Sequence, residues 1–270
     1  MNRIDAAFAR LKQEGKTALI PFLTTGDPDI ATTISIIQEL EKAGASMIEL
    51  GVPYSDPLAD GPVIQRASER ALLNRVTIQD CMDTAEQARE AGVTIPFILF
   101  TYFNPVLQFG LEPFIEMAKK KEISGLIIPD LPLEEDEEVR KLAEAAGIHL
   151  IPLVAPTSKD RVVRISRQAR GFVYCVSSLG VTGVRAEFHS GIDDFLATVR
   201  EATDLPIAVG FGISSREQVE RFSKQADGVV VGSAIVRRIE EALPLLNDPQ
   251  RRQEGLEQIG RFVAELNGNA

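Results

Sequence analysis

A glutamate stands alone inside an apolar run, Ser46-Met47-Ile48-Glu49-Leu50-Gly51. Side chains alternate along a strand, so Met47, Glu49 and Gly51 share one face and Ile48 and Leu50 the other. A carboxyl there is either a structural group paired with a base, or an acid–base catalyst whose burial pushes its pKa toward neutrality. The loop that follows, Val52 to Pro62, is stiffened by prolines and carries Asp60 just before a helix expected from about Pro62. Asp60 reads as the N-cap of that helix, worth about 1 kcal/mol, or as a second carboxylate over the site. Spacing alone favours the cap.

Glycines gather late in the chain: Ser177-Ser178-Leu179-Gly180-Val181-Thr182-Gly183, Gly210-Phe211-Gly212-Ile213-Ser214 and Gly232-Ser233-Ala234. Each follows an apolar run. Loops of this kind bind phosphate through bare amides and a helix N-terminus and need no lysine. They are also what tight strand-to-helix turns require. The polar stretch Val184 to Gly191 has the length of a lid or of an ordinary surface loop.

The elements that must position these residues repeat. Short apolar runs occupy Ala18–Leu23, Met47–Gly51, Pro96–Thr101, Gly125–Pro129, Leu150–Val154, Phe172–Val176, Ile207–Gly210 and Gly228–Val231. Strands buried on both faces look like this. Helical periodicity fills the intervals at Ala31–Ala43, Thr77–Ala91, Leu111–Lys121, Glu134–Ala146 and Ser215–Ser223, and several of these end on glycines suited to a left-handed cap, Gly44, Gly92 and Gly147. The interval between the second and third runs is about twice as long as the others and must hold an insertion. Eight such units predict a single α/β domain over residues 1–270, a (β/α)8 TIM barrel, with an extra N-terminal helix at Ile4–Lys12 and a further one at Gln250–Leu266. An open doubly wound sheet is the competing architecture. In a barrel, chemistry sits at the C-terminal ends of the strands and on the loops that follow them, where Glu49, Asp60 and the glycines all fall.

Composition narrows the function classes. The 270 residues hold 29 Lys+Arg and 39 Asp+Glu, a formal charge of −10, which argues against binding nucleic acid. His149 and His189 share no ligand spacing with each other or with Cys81 or Cys175, so no metal site is expected. The same two cysteines, far apart, predict no disulfide framework. No apolar stretch approaches a membrane span and the N-terminus does not read as a signal peptide, so a cytoplasmic protein is expected.

The segment Ile48 to Gly61 resembles the signature of the tryptophan synthase alpha subunit family along its whole length. Pro21-Phe22-Leu23-Thr24-Thr25-Gly26-Asp27-Pro28, Thr101-Tyr102-Phe103-Asn104-Pro105, Pro129-Asp130-Leu131-Pro132, Gly180-Val181-Thr182-Gly183 and Gly210-Phe211-Gly212-Ile213 agree in the family's order. Tyr54 stands where many members have phenylalanine, and Val184-Arg185 is an unfamiliar continuation of the lid. The resemblance implies cleavage of indole-3-glycerol phosphate to indole and glyceraldehyde 3-phosphate, a lyase step of tryptophan biosynthesis. By residue matching, Glu49 would protonate indole C3 and take the side-chain hydroxyl proton, and an exposed, ionised Asp60 would stabilise the indole N–H. Phe22, Leu99, Tyr102, Leu126, Ile151 and Tyr174 would bind substrate, and Thr182 would order the lid over Asp60. Gly183, Gly210, Phe211, Gly212, Gly232 and Ser233 would hold the phosphate.

The resemblance further implies a partner, a beta subunit carrying pyridoxal phosphate, in an assembly of two alpha and two beta chains. The chain itself would carry no cofactor. Pro53, Tyr54, Asp56, Pro57, Asn104 and Pro105, on one rim, would form the contact surface. Two other readings remain open at this point: another phosphate-binding barrel enzyme, such as an isomerase or aldolase, or a barrel kept as a docking subunit. No strand core holds the lysine that a Schiff-base aldolase needs.

Overall fold

The computed structural model describes residues 1–177, 191–210 and 212–268. Among the described residues nine parallel strands run in the order β5-β4-β3-β2-β1-β9-β8-β7-β6: β1 (Ala18–Thr24), β2 (Ile48–Gly51), β3 (Phe97–Phe100), β4 (Ile123–Ile127), β5 (His149–Leu150), β6 (Leu153–Val154), β7 (Val173–Val176), β8 (Ile207–Gly210) and β9 (Gly228–Val231). The expected fifth strand is here two dipeptides, because Pro152 has no N–H to give a ladder. β5 pairs only with β4 and β6 only with β7. Between them the Ile151 amide donates to the Leu126 carbonyl (2.8 Å), and the Pro152 carbonyl accepts from the Tyr174 amide (3.1 Å). The two halves act as one barrel strand, and the ring closes through them.

The long interval between β2 and β3 carries two helices, α3 (Pro62–Leu73) and α4 (Ile78–Glu90), the second opened by a capping box of Thr77 and Asp80. The helix expected from Glu134 begins at Glu137 (α7, Glu137–Ala146), since the Glu134 carboxylate is taken by Arg161 and Arg164 of α8 (Lys159–Gln168). The glycine caps fall as the pattern predicts, with positive φ at Gly44, Gly92 and Gly147. The last helix is α12 (Arg252–Asn267).

Two apolar clusters divide the core by the period of two. Outward-facing Leu19, Leu23, Ile48, Leu50, Leu99, Leu126, Val173, Cys175, Val209 and Val229 pack under the helices. Inward-facing Ala18, Ile20, Phe22, Met47, Ile98, Phe100, Ile127, Ile151, Tyr174 and Val230 fill the barrel. The N-terminal helix α1 (Arg3–Glu14) closes the floor with Ile4, Phe8 and Leu11. Its Phe8 ring lies 5.5 Å from that of Phe172, and its cap residue Asn2 donates to the carbonyls of Ser124 and Gly147 at 2.8 Å each. One end of the barrel is thus sealed.

At the other end, α3 is tied to the loop after β1 and to α11 (Ser233–Leu246). Arg70 grips the buried Asp27 with two bonds of 2.8 Å and reaches Glu240 at 2.9 Å. Arg66 forks onto the same Glu240. Bidentate pairs of this kind fix direction as well as distance. They hold the β1 loop and the middle of α11 against α3, the helix that follows the acid-bearing loop. Among the described residues no helix is long and apolar enough to cross a membrane.

Candidate active site

Glu49 sits in β2, in register with Phe22 of β1 and Ile98 of β3, so all three point into the barrel. It is 1% exposed, and its Oε1 has no hydrogen-bond partner among the described residues. The structural reading, a glutamate neutralised by a base, therefore finds no base among the described residues. Burial without compensation pushes the carboxyl pKa up to about 8. At neutral pH the group is protonated and lies among apolar side chains.

Asp60 does not cap α3. Gly61 holds the N-cap position with no side-chain bond, and Asp60 contributes only its backbone carbonyl, which accepts from Gln65 Nε2 at 2.7 Å. Its carboxylate instead accepts from the Tyr102 hydroxyl, which itself accepts from the Ala59 amide at 3.0 Å. Nor is Asp60 exposed. At 7% exposure, burial raises its pKa to about 6, with the Tyr102 bond pulling the other way. Glu49 and Asp60 are both buried, yet they differ in hydrogen bonding, and near pH 7 one is protonated and the other ionised.

Phe22 and Phe100 meet edge to face at 5.5 Å, and with Ile127, Ile151 and Tyr174 they wall the chamber around Glu49. Leu99 and Leu126, expected in that wall, are not there. Leu99 pairs with Leu50 and with Leu126 in register, and all three face the helices. Phe100 and Ile127, one position along, take the inward places, because a slip of one residue moves a side chain to the opposite face. Carrying the parity of Glu49 across the register, from Gly51 to Phe100 to Ile127, identifies them. Tyr102 is likewise not a free wall residue, since its hydroxyl is engaged by the Asp60 loop.

At the end of β9, Gly232 precedes α11 with no side-chain cap. A Cβ built on it would meet Phe22 at an ordinary 3.7 Å, so packing does not demand glycine there. Ser233, 7% exposed, opens the helix, and the first amides of a helix have no partners within it. Gly212 adopts φ 89°, in the left-handed region that side chains avoid. Gly210 has a different reason to be glycine, since its missing side chain makes room for the Tyr174 hydroxyl. Thr182, Gly183 and Phe211, with the stretch 178–190, lie outside the described residues.

On the rim, the Tyr54 and Tyr102 rings stack at 5.1 Å, and Asn104 Nδ2 reaches the Tyr54 hydroxyl at 3.4 Å. Asp56 and Asn104 are exposed, Pro57 and Pro105 half-buried, and Pro53 is buried beneath them rather than presented at the surface. Two leucines not foreseen from sequence stand out instead, Leu58 at 75% and Leu107 at 54% exposure. Leu107 lies on α5 (Phe103–Phe109), whose first amide is held by Asp130 at 2.9 Å.

A lone acid turned inward near the C-terminal end of a parallel barrel strand places this chain among the (β/α)8 barrels that carry a reactive site on that rim. The model of the family described as Tryptophan synthase alpha chain matches residues 8–267, and the chain belongs to that family. A tryptophan synthase alpha chain of Halalkalibacterium halodurans is 49% identical over 266 residues, 98% of this chain and 99% of the relative. Among solved structures, tryptophan synthase subunit alpha of Legionella pneumophila superposes with a TM-score of 0.88 at 34% identity, covering 100% of this chain and 98% of the other. A Mycobacterium tuberculosis tryptophan synthase structure gives 0.87 at 34% identity, covering 99% and 98%.

Proposed function

We propose that this chain is the lyase of tryptophan biosynthesis that splits indole-3-glycerol phosphate into indole and glyceraldehyde 3-phosphate. The observation that carries this reading is the buried carboxyl of Glu49 among apolar side chains, its Oε1 without a partner among the described residues and its pKa raised to about 8. Protonated Glu49 delivers its proton to indole C3. The resulting carboxylate then takes the proton of the hydroxyl on the adjacent carbon as the C–C bond breaks and that carbon becomes the aldehyde. Ionised Asp60 accepts from the ring N–H and stabilises the positive charge that C3 protonation places on the indole. Two carboxyl groups whose pKa values are set apart by their environments suit these two roles.

Phe22, Phe100, Ile127 and Ile151 form the indole surround, and Tyr174 orders the chamber beside Glu49. The amides at Gly232 and Ser233, with Gly212, receive the phosphate in the field of the α11 N-terminus. Thr182 would act over Asp60, and Gly183 and Phe211 at the phosphate. Residues 1–270 work as one catalytic domain with no cofactor of its own. The rim around Tyr54, Asp56, Pro57, Asn104 and Pro105 meets a beta subunit that carries pyridoxal phosphate, in an assembly of two chains of each kind.

The test is incubation with indole-3-glycerol phosphate, with and without a cognate beta subunit, while indole release is followed. Release is expected from the wild-type chain, with none above background from Glu49→Gln, although that variant folds and binds substrate. Wild-type-like turnover by Glu49→Gln overturns the assignment.

A further inference from the structure

A second buried polar atom in the barrel mouth has no partner. Thr24, at the end of β1, is 3% exposed, and its Oγ1 makes no hydrogen bond among the described residues. The pleat places it on the inward face with Ile20 and Phe22, one layer nearer the mouth than Phe22. It is in register with Gly51, two residues beyond Glu49. A buried hydroxyl left unpaired costs stability, and retaining one points to a ligand that completes it.

The strand order says which part of a ligand that is. β1 lies between β2, which bears Glu49, and β9, which Gly232 follows. A molecule with its ring against Glu49 and its phosphate at the α11 amides must carry its connecting chain across β1, and Thr24 is the inward polar group there. That chain has two hydroxyls. The one next to the ring is used by Glu49 in the reaction just proposed, and the middle one has no assigned partner.

We propose that Thr24 Oγ1 binds the middle hydroxyl of the three-carbon chain and selects polyol phosphates over phosphates with a plain alkyl chain. The inference rests on the proposed cleavage reaction and deepens it. Thr24 touches substrate but exchanges no proton with it.

The experiment compares Thr24→Val and Thr24→Ser with wild type, using indole-3-glycerol phosphate and an indole bearing an unsubstituted three-carbon phosphate chain. Thr24→Val should raise the KM for the polyol substrate about 5- to 10-fold, the value of one hydrogen bond, and leave the inhibition constant of the plain-chain compound unchanged. The melting temperature of the ligand-free valine variant should equal or exceed that of wild type, because an unsatisfied hydroxyl has been removed. Thr24→Ser should keep the wild-type KM. An equal loss for both compounds, or a lower melting temperature in the valine variant, overturns the role of Thr24 while indole release by wild type leaves the reaction standing. No indole release by wild type overturns both.

Discussion

The Tyr174 hydroxyl fills the space that a side chain at Gly210 would occupy. The two residues are on neighbouring strands, β7 and β8, with Tyr174 paired to Ala208 and Val176 to Gly210. Burial and the nearby Glu49 carboxyl hold the tyrosine well above its ordinary pKa, so it is a neutral phenol wedged between an acid and a strand. Gly210→Ala therefore overpacks the chamber. We expect a stability loss of about 1–3 kcal/mol in urea unfolding together with a drop in turnover, since the displaced ring moves toward Glu49. Tyr174→Phe, which removes only the oxygen, should be milder on both counts. A Gly210→Ala enzyme with wild-type rate and midpoint would show that the strand yields instead of the ring.

The two acids fix a pH window for catalysis. In the proposed reaction Asp60 acts ionised and Glu49 protonated, and burial sets their pKa values at about 6 and about 8. The plot of kcat/KM against pH should be a bell whose limbs fall near those values. Asp60→Asn should lower the rate about 10²-fold or more, in the range of general acid–base groups, and erase the acid limb. The folded-state pKa of Glu49 lies above its unfolded value of 4.5, so the native state binds the extra proton. Its contribution to stability is complete below about 4.5 and disappears as pH rises through about 8. Denaturant midpoints should therefore fall across that interval in wild type and fall less in Glu49→Gln. Parallel pH curves for the two proteins would contradict the raised pKa.

Much of this was legible in the residues. Runs of apolar side chains marked the barrel strands, and the lone acid in the second of them lies on the face turned into the barrel. What the pattern hid had local causes. The break at Ile151-Pro152 does not disturb the apolar run, because proline is as apolar as its neighbours and differs only in the amide it lacks. Asp60 carries a strong cap signature, an acid beside a Gly-Pro helix start, and only the Tyr102 hydroxyl reaching across from the end of β3 reveals its different use. Leu58 and Leu107 resemble core leucines until the fold leaves them outside.

The inward and outward parities of β3 give a paired test. Phe100 faces the chamber and stacks edge-on with Phe22, whereas Leu99 faces the helices. Phe100→Ala should raise the substrate KM about tenfold or more, the loss expected from an emptied aromatic wall. Leu99→Ala should cost about 2–5 kcal/mol of stability as a core cavity while leaving the KM of the folded enzyme near wild type. Titrating both variants with substrate and unfolding both in urea separates the two effects. If Leu99→Ala carries the larger KM change, the assignment of faces is wrong.

The rim supplies the last prediction. Leu107 exposes an apolar side chain on α5, the helix that begins beside Tyr102 and includes Asn104 and Pro105. An exposed apolar residue on this helix is poorly placed in a lone chain and well placed under a partner. Leu107→Asp leaves the core untouched, so the urea midpoint and any indole release of the isolated chain should stay at wild-type levels. Affinity for the beta subunit should drop about tenfold or more, because a carboxylate would be buried without a counter-charge. Calorimetric titration of the variant with the beta subunit reads this directly. Unaltered binding would place the contact nearer Leu58 and Asp56 and leave α5 facing water even in the assembly.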